Sequence, residues 1–362
     1  GYLESQRYLS GVYYGWGVER LNTGKNPNRT LTDLLRAVEF WGAEPAYYRT
    51  LAQAFLVQAS QTISSYQPAT GDLSAARSAL QASIQNAVSA GQRATQLNPA
   101  DSQNWMALGL VYENVVPLVP GAEGQARSAY ETVNKLDPHN PTARLFIART
   151  AVSTADRIAN QIQSLRSNPQ AAEQVRSMET ERTAILESAK KFLDEAIKLK
   201  PDFGPAHFLL VQVYDRQGDL PNAISRASAL AQAVPTDSGL WFQLGFLYYK
   251  SSALASAQAA FERAVGLDGK FSNARYFLGL IYGKNNDPDK AIEQFEQVQA
   301  LNPGNAEVKA ILANLKAGQD ALAGIAPPGP TPEQRAEAPV EERGGAPKEP
   351  LERGSPVRTS AP

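Results

Sequence analysis

Cysteine does not occur anywhere in the chain. Its absence excludes disulfide frameworks, thiolate nucleophiles and cysteine-ligated zinc, and it is compatible with an exported protein that avoids stray disulfides. Histidine is almost as scarce. His139 and His207 stand far apart, and neither belongs to an H-x-x-H or H-E-x-x-H pattern. His139 reads as a turn residue and His207 as a packing residue. No D-x-D-x-D-G loop, no G-x-x-x-x-G-K-S/T phosphate loop and no strand-bound G-x-G-x-x-G is present. The G-x-S-x-G elbow of a serine hydrolase is missing as well. Acidic side chains are scattered at spacings that suit solvated pairs on helix faces. We therefore expect no enzyme activity, no cofactor and no metal.

Neither sign of charge dominates. Lysine and arginine number 35 against 36 acidic residues, for a net charge of −1. Nucleic-acid binders carry a basic excess, so no nucleic-acid partner is expected. Runs of about 18 apolar residues, the length that spans a bilayer, are absent, so no membrane span is expected within the chain. The only methionines are Met106 and Met178, and the sequence opens on Gly1. The expectation is a mature form or a fragment from which any signal peptide or anchor has been removed.

What is present is a repeat. Tyr214, Tyr248 and Tyr282 lie 34 residues apart, and Ala223, Ala257 and Ala291 keep the same interval. Phe261 and Phe295 keep it too, while Pro235, Gly269 and Pro303 fall at one common phase. Trp241, Leu244, Gly245 and Tyr248 spell W-x2-L-G-x2-Y, and Trp105, Leu108, Gly109 and Tyr112 spell it earlier. Each identity has a physical reason. Small residues such as Gly245 and Ala257 belong where two antiparallel helices approach closely. Tyr248 and Phe261 are expected to fill the space toward the next repeat, and a closing proline stops the second helix.

The period and these identities resemble the tetratricopeptide repeat. The resemblance implies an all-α fold: a right-handed α-solenoid of about seven helix pairs with a C-terminal capping helix and a Pro-rich tail. The solenoid is expected over 1–323. Its irregular pairs cover 2–44, 45–101, 102–140 and 141–203. The third carries an insertion at 116–120 and the fourth breaks at Asn168-Pro169. Regular repeats follow at 204–237, 238–271 and 272–305, and a capping helix at 306–322. From Gly324 onward nine prolines and five glycines fall among 39 residues, too little apolar surface to offset ordering entropy. Residues 324–362 therefore read as a linker-like tail. Thr331, Ser355, Thr359 and Ser360 beside prolines give it the composition of a glycan-carrying stalk.

In the repeats that this chain resembles, the first helix of each pair lines a concave binding groove. The matching positions are Phe208, Gln212 and Asp215, then Phe242, Phe246, Tyr249 and Lys250, then Tyr276, Leu280 and Lys284. Family members that grip a C-terminal carboxylate use lysine and asparagine there. This sequence places aromatics instead, which suit an apolar helix or a proline-rich segment. The first helix is unusual because Tyr2, Tyr8, Tyr13 and Trp16 surround it with apolar bulk. A terminal repeat should be polar outside, so a partner is expected to cover it.

Tyr47-Tyr48-Arg49-Thr50-Leu51-Ala52, Phe242 to Tyr249 and Ser272 to Leu280 further resemble extracytoplasmic repeat regions of bacterial O-antigen-ligase-like membrane proteins. That resemblance implies an address outside the cytoplasm, at the cell surface or extracellular. The expected function is protein–protein interaction, with other copies of the chain as partners, assembling head-to-tail into a surface filament. The alternatives are an envelope adaptor that binds a different protein through the groove, and an accessory domain of a membrane glycan polymerase.

Overall fold

A computed structural model describes residues 2–24, 26–68, 71–325, 331–335 and 338–342. Among these residues there are fifteen α-helices and no strand. Helix α1 (Tyr2–Thr23) pairs with α2 (Pro27–Phe40), α3 (Pro45–Ser65) with α4 (Leu73–Leu97), α5 (Ser102–Val115) with α6 (Ala122–Leu136), and α7 (Pro141–Leu165) with α8 (Ala172–Leu199). Then α9 (Gly204–Gln217) pairs with α10 (Leu220–Ala233), α11 (Ser238–Lys250) with α12 (Leu254–Leu267), and α13 (Ser272–Lys284) with α14 (Pro288–Leu301). The last helix is α15 (Ala306–Lys316). Short 3-10 turns occur at Pro169–Ala171 and Pro332–Gln334. The chain divides into two compact units, Gly1–Pro201 and Asp202–Pro362.

Local chemistry sets the helix boundaries. The carboxylate or amide of Asp101, Asn140, Asp237 and Asn305 accepts a backbone N–H of the first turn of α5, α7, α11 and α15, satisfying donors that have no partner inside the helix. Helix α15 stops at Lys316, short of the expected 322, because Gly318 takes a left-handed φ of 72°. This turn lets Gly318 and Gln319 donate back to the Leu315 and Asn314 carbonyls.

In the pairs α5–α6, α11–α12 and α13–α14 the helices close on a glycine. A Cβ added to Gly245 would come within 2.8 Å of the Phe261 ring, and one added to Gly279 within 2.7 Å of Phe295. In the first unit Gly109 faces Tyr130 in the same way. The ring therefore occupies the volume that any side chain at the glycine would need.

The tryptophan of the repeat has a role that its position did not disclose. Indole Nε1 of Trp241 donates to the Pro235 carbonyl six residues earlier, at 3.0 Å, and Trp105 does the same to Pro99 at 2.8 Å. At two of the other matching positions an arginine performs the same task, and in α3 the Tyr48 hydroxyl donates to the Gly42 carbonyl at 3.3 Å. Arg275 donates to the Gly269 carbonyl at 2.8 Å and Arg144 to the Pro138 carbonyl at 2.7 Å. Each bond ties the turn that ends one repeat to the helix that begins the next.

In the first unit a buried tyrosine, a carboxylate and an arginine form a further fixture. Tyr130 donates to Glu113 at 2.7 Å, and Arg149 grips the same carboxylate with two bonds at 2.6 and 2.7 Å. Burial, and then the Glu113 charge, push the Tyr130 hydroxyl far above its ordinary pKa.

The glycine contact generates a stability prediction. Gly279→Ala should cost about 1–3 kcal/mol because the ring has to move. Gly266→Ala, with nothing within 4 Å of the added carbon, should be neutral or stabilising by up to about 1 kcal/mol. Paired thermal melts check both. Equal melting points for the two variants would contradict the close-packing account.

Candidate functional site

The first helices of the pairs in the second unit are α9, α11 and α13, followed by α15. They carry the residues expected to line a groove. A ladder of cations links them. Lys250 of α11 pairs with Asp215 of α9, and one repeat later Lys284 of α13 donates to the Tyr249 hydroxyl of α11 at 3.0 Å, over the ring face. The same register thus recurs at the repeat period, with a tyrosine taking the place of the aspartate. Burial raises the Tyr249 pKa above its ordinary value, and Lys284 opposes the shift.

The aromatics gather around Phe277, which sequence reasoning missed. Its ring stacks on Phe261 at 5.8 Å and meets Phe246 edge-on at 5.2 Å and Tyr249 at 5.3 Å. Phe242 joins through Phe271 at 4.8 Å. Phe242, Phe246 and Phe208 stay half-buried, as do Gln212, Asp215 and Lys250, while Lys284 is exposed. Tyr249, Tyr276 and Leu280 are instead buried in the core. The reading that these three line an open surface is corrected. Tyr249 meets Phe277 of the next pair, Tyr276 bonds Glu307 of α15, and Leu280 belongs to the same core cluster, where removing apolar area from water is favourable.

The tail is a second correction. Residues 331–335 and 338–342 do not behave as a linker, because they lie on the second unit. Pro332 is buried, and its turn packs against α11, with Glu333 close enough to Tyr249 to act on its ionisation. Arg335 donates twice to the Glu307 carboxylate of α15, at 3.0 and 2.8 Å. That carboxylate also accepts the Tyr276 hydroxyl. Asn305 donates to the Pro339 carbonyl at 3.2 Å.

The tail then reaches the start of α13. That helix begins after Phe271, which has no oxygen with which to cap it. The missing acceptor arrives from 70 residues away. Glu342 accepts the Ser272 and Asn273 backbone N–H groups at 2.8 and 2.7 Å, and the Asn273 side chain at 2.6 Å. A carboxylate at a helix N-terminus is favoured by the orphan donors and by the helix dipole. Asn273 also pairs with both backbone groups of Val340. Its Nδ2 donates to the Val340 carbonyl at 3.0 Å, and its Oδ1 accepts the Val340 N–H at 3.3 Å. The Val340 side chain is 3% exposed, within the aromatic core cluster. Residues 343–362 lie outside the described residues, and with them Ser355, Thr359 and Ser360.

The N-terminal set separates into two groups. Tyr13 stacks on Phe40 at 5.5 Å and accepts Arg36 at 3.4 Å. Tyr2, Tyr8 and Trp16 remain exposed, at 78%, 73% and 46%. Among the described residues, no cluster of histidine and carboxylate side chains could hold a metal ion, and no helix is long and apolar enough to cross a membrane.

Comparison with known proteins agrees with this geometry. Residues 248–315 match the sequence profile of the tetratricopeptide repeat family. Anaphase-promoting complex subunit 6 of Arabidopsis thaliana is 32% identical over 78 residues, which is 22% of this chain and 14% of that protein. Anaphase-promoting complex subunit 3 of Schizosaccharomyces pombe is 28% identical over 129 residues, 36% of this chain and 19% of that protein. The matched stretches thus span a fifth or less of these curated relatives. Among solved structures, a tetratricopeptide repeat protein from Parabacteroides merdae superposes with a TM-score of 0.53 at 14% identity, over 85% of this chain and 99% of that one. The C-terminal part of a repeat-containing protein from Cytophaga hutchinsonii gives a TM-score of 0.51 at 12% identity, over 82% of this chain and 98% of that one. The fold is therefore the all-α helix-pair fold of tetratricopeptide-repeat proteins.

Tyr276 supplies a pH test of the site. Its folded pKa lies above the ordinary value of 10.0, through burial first and then the Glu307 bond and charge. A raised acid pKa contributes stability that is complete below the unfolded pKa and is lost as pH rises beyond it. Melting temperature should therefore fall from pH 9 to pH 11, and less steeply in Tyr276→Phe. Parallel slopes for the two proteins would show that the hydroxyl is not held as described.

Proposed function

We propose that this chain is a non-enzymatic protein-interaction module that associates head-to-tail with further copies of itself, forming a filament. The tetratricopeptide-repeat fold supports the interaction role, and two matched relatives are subunits of a protein complex. The observation that carries self-association is the outer face of α1. Tyr2, Leu9 and Trp16 lie seven residues apart and so share one side of the helix. Leu3 and Tyr8 flank them, and all five are exposed. Contiguous exposed apolar surface of this kind marks an interaction site.

Such a face joined to a different surface of the next copy does not close by two-fold symmetry. Repetition of that contact makes an open chain of subunits. The reading goes with an extracytoplasmic address, which the cysteine-free sequence allows. Tyr14 does not belong to the outer face, because it stacks on Tyr47 at 4.4 Å and bonds Thr50 at 3.0 Å, holding α1 onto α3.

Light-scattering mass beside negative-stain microscopy tests the proposal. The wild-type chain should form rods whose mass grows with concentration. Tyr8→Glu with Trp16→Glu should weaken association at least tenfold while leaving helicity unchanged, because neither side chain packs in the core. Tyr13 is kept in this variant, since its stacking on Phe40 fixes α1 against α2. Discrete wild-type monomers at all concentrations would rule self-association out.

A further inference from the structure

We propose that residues 331–342 are a self-ligand that closes a peptide-binding site on the second unit. The site is built from α11 and the N-terminal ends of α13 and α15. Its ligand class is an extended, proline-containing polypeptide segment with a branched apolar residue followed two positions later by a carboxylate. The inference rests on the reading of the chain as a protein-binding module, but not on the face of α1.

Three features make this a recognition site and not simply more core. The contacts are first of all contacts to a main chain. Asn273 pairs with the N–H and the carbonyl of one residue, Val340, and Asn305 takes the carbonyl of its neighbour Pro339. Bonds of this kind hold any extended backbone, whatever its side chains. Specificity is then added at separate points: an apolar side chain at Val340, a carboxylate at Glu342 on the uncapped start of α13, and a cation at Arg335 on Glu307.

Burial along the segment has the same punctuated form. Pro332 and Val340 are buried, whereas Thr331, Gln334, Ala338 and Glu341 are exposed. A segment with buried anchors at Pro332 and Val340, and with Gln334 and Ala338 exposed between them, lies on the surface as a bound peptide does. Proline at both anchoring stretches restricts the free segment and lowers the cost of ordering it.

The tether sets how the site responds. Only five residues of sequence, 326–330, separate Ile325 from Thr331. A short tether presents its end at an effective concentration on the order of millimolar. An outside segment of equal intrinsic affinity must therefore reach about that concentration before it displaces the self-ligand. A partner that binds must be better matched to the site or locally concentrated. The closed form thus filters partners instead of abolishing binding.

A labelled peptide with the sequence of residues 331–342 tests the proposal by fluorescence anisotropy against full-length chains. The wild-type chain should bind it weakly. An opened chain, Val340→Asp with Glu342→Gln, should bind it at least tenfold more tightly while keeping wild-type helicity. Asn273→Ala added to the opened chain should abolish that gain, and a peptide carrying Val340→Asp should fail to bind. Arg335→Ala with Glu342→Gln, which leaves both buried anchors in place, should give an intermediate gain. Equal affinities for wild-type and opened chains would overturn the proposal. So would loss of helicity in both tail variants, which would make the segment part of the fold. Tyr8→Glu with Trp16→Glu should leave all these affinities unchanged, so failure of self-association and failure of the peptide site read out separately.

Discussion

The structure depends on how closely two helices can approach where a glycine meets an aromatic ring. Gly245 under Phe261, Gly279 under Phe295 and Gly109 under Tyr130 each leave no room for even a methyl group. Once that distance is set, the second helix of a pair can present its ring both inward to the glycine and onward to the next repeat. Phe261 does both, since it covers Gly245 and stacks on Phe277. Cohesion within a pair and between neighbouring pairs is therefore carried by one side chain. Protein interiors pack too densely for the two functions to vary independently, and this coupling is the reason a repeat must keep its phase.

That coupling explains how the aromatics expected in a groove are used. A ring on the first helix of a pair has a neighbour across the repeat boundary. Around Phe277 the neighbours are close enough for Tyr249 and Tyr276 to be enclosed. Lysines follow the same rule. Lys250 and Lys284 each reach back to the preceding first helix, where Asp215 and Tyr249 receive them. The polar groups that a ligand would meet are thus partly engaged with one another. Phe242 and Phe246 keep part of their surface at the edge of the cluster.

The periodic part of the fold was legible in the sequence because a period is a local property. The 34-residue interval of Tyr214, Tyr248 and Tyr282 is visible without knowing what the tyrosines touch. The turn lock was not legible, because tryptophan and arginine perform it interchangeably and only their shared donor role unites Trp241 with Arg275. The docked segment was not legible either, for a different reason. Composition averages over a window, and the window from Gly324 onward averages to a linker. Its attachment depends on a few anchors, chiefly Pro332, Val340 and Glu342, whose partners include groups 67 or more residues away. One sign was available. Helix α13 starts after Phe271, whose side chain offers no acceptor, so its first-turn N–H groups are open to one from elsewhere, as are those of α9 and α12.

The docked segment also takes a place that a helix takes elsewhere in the fold. A helix pair within a stack is covered by the pair that follows. In the first unit the Tyr130–Glu113 pair receives Arg149 from α7, the first helix of the following pair. In the second unit the Tyr276–Glu307 pair receives Arg335 from the docked segment instead. A tyrosine hydroxyl and a guanidinium thus hold a carboxylate in both places, but the guanidinium is supplied once by a helix and once by an extended strap. A helix is fixed by its own ladder of bonds and by its partner helix. The strap has only the contacts it makes to the surface beneath it, so its hold depends on a few side chains and can be broken without dismantling a repeat. The docked segment is therefore the element of the second unit best suited to exchange for a partner.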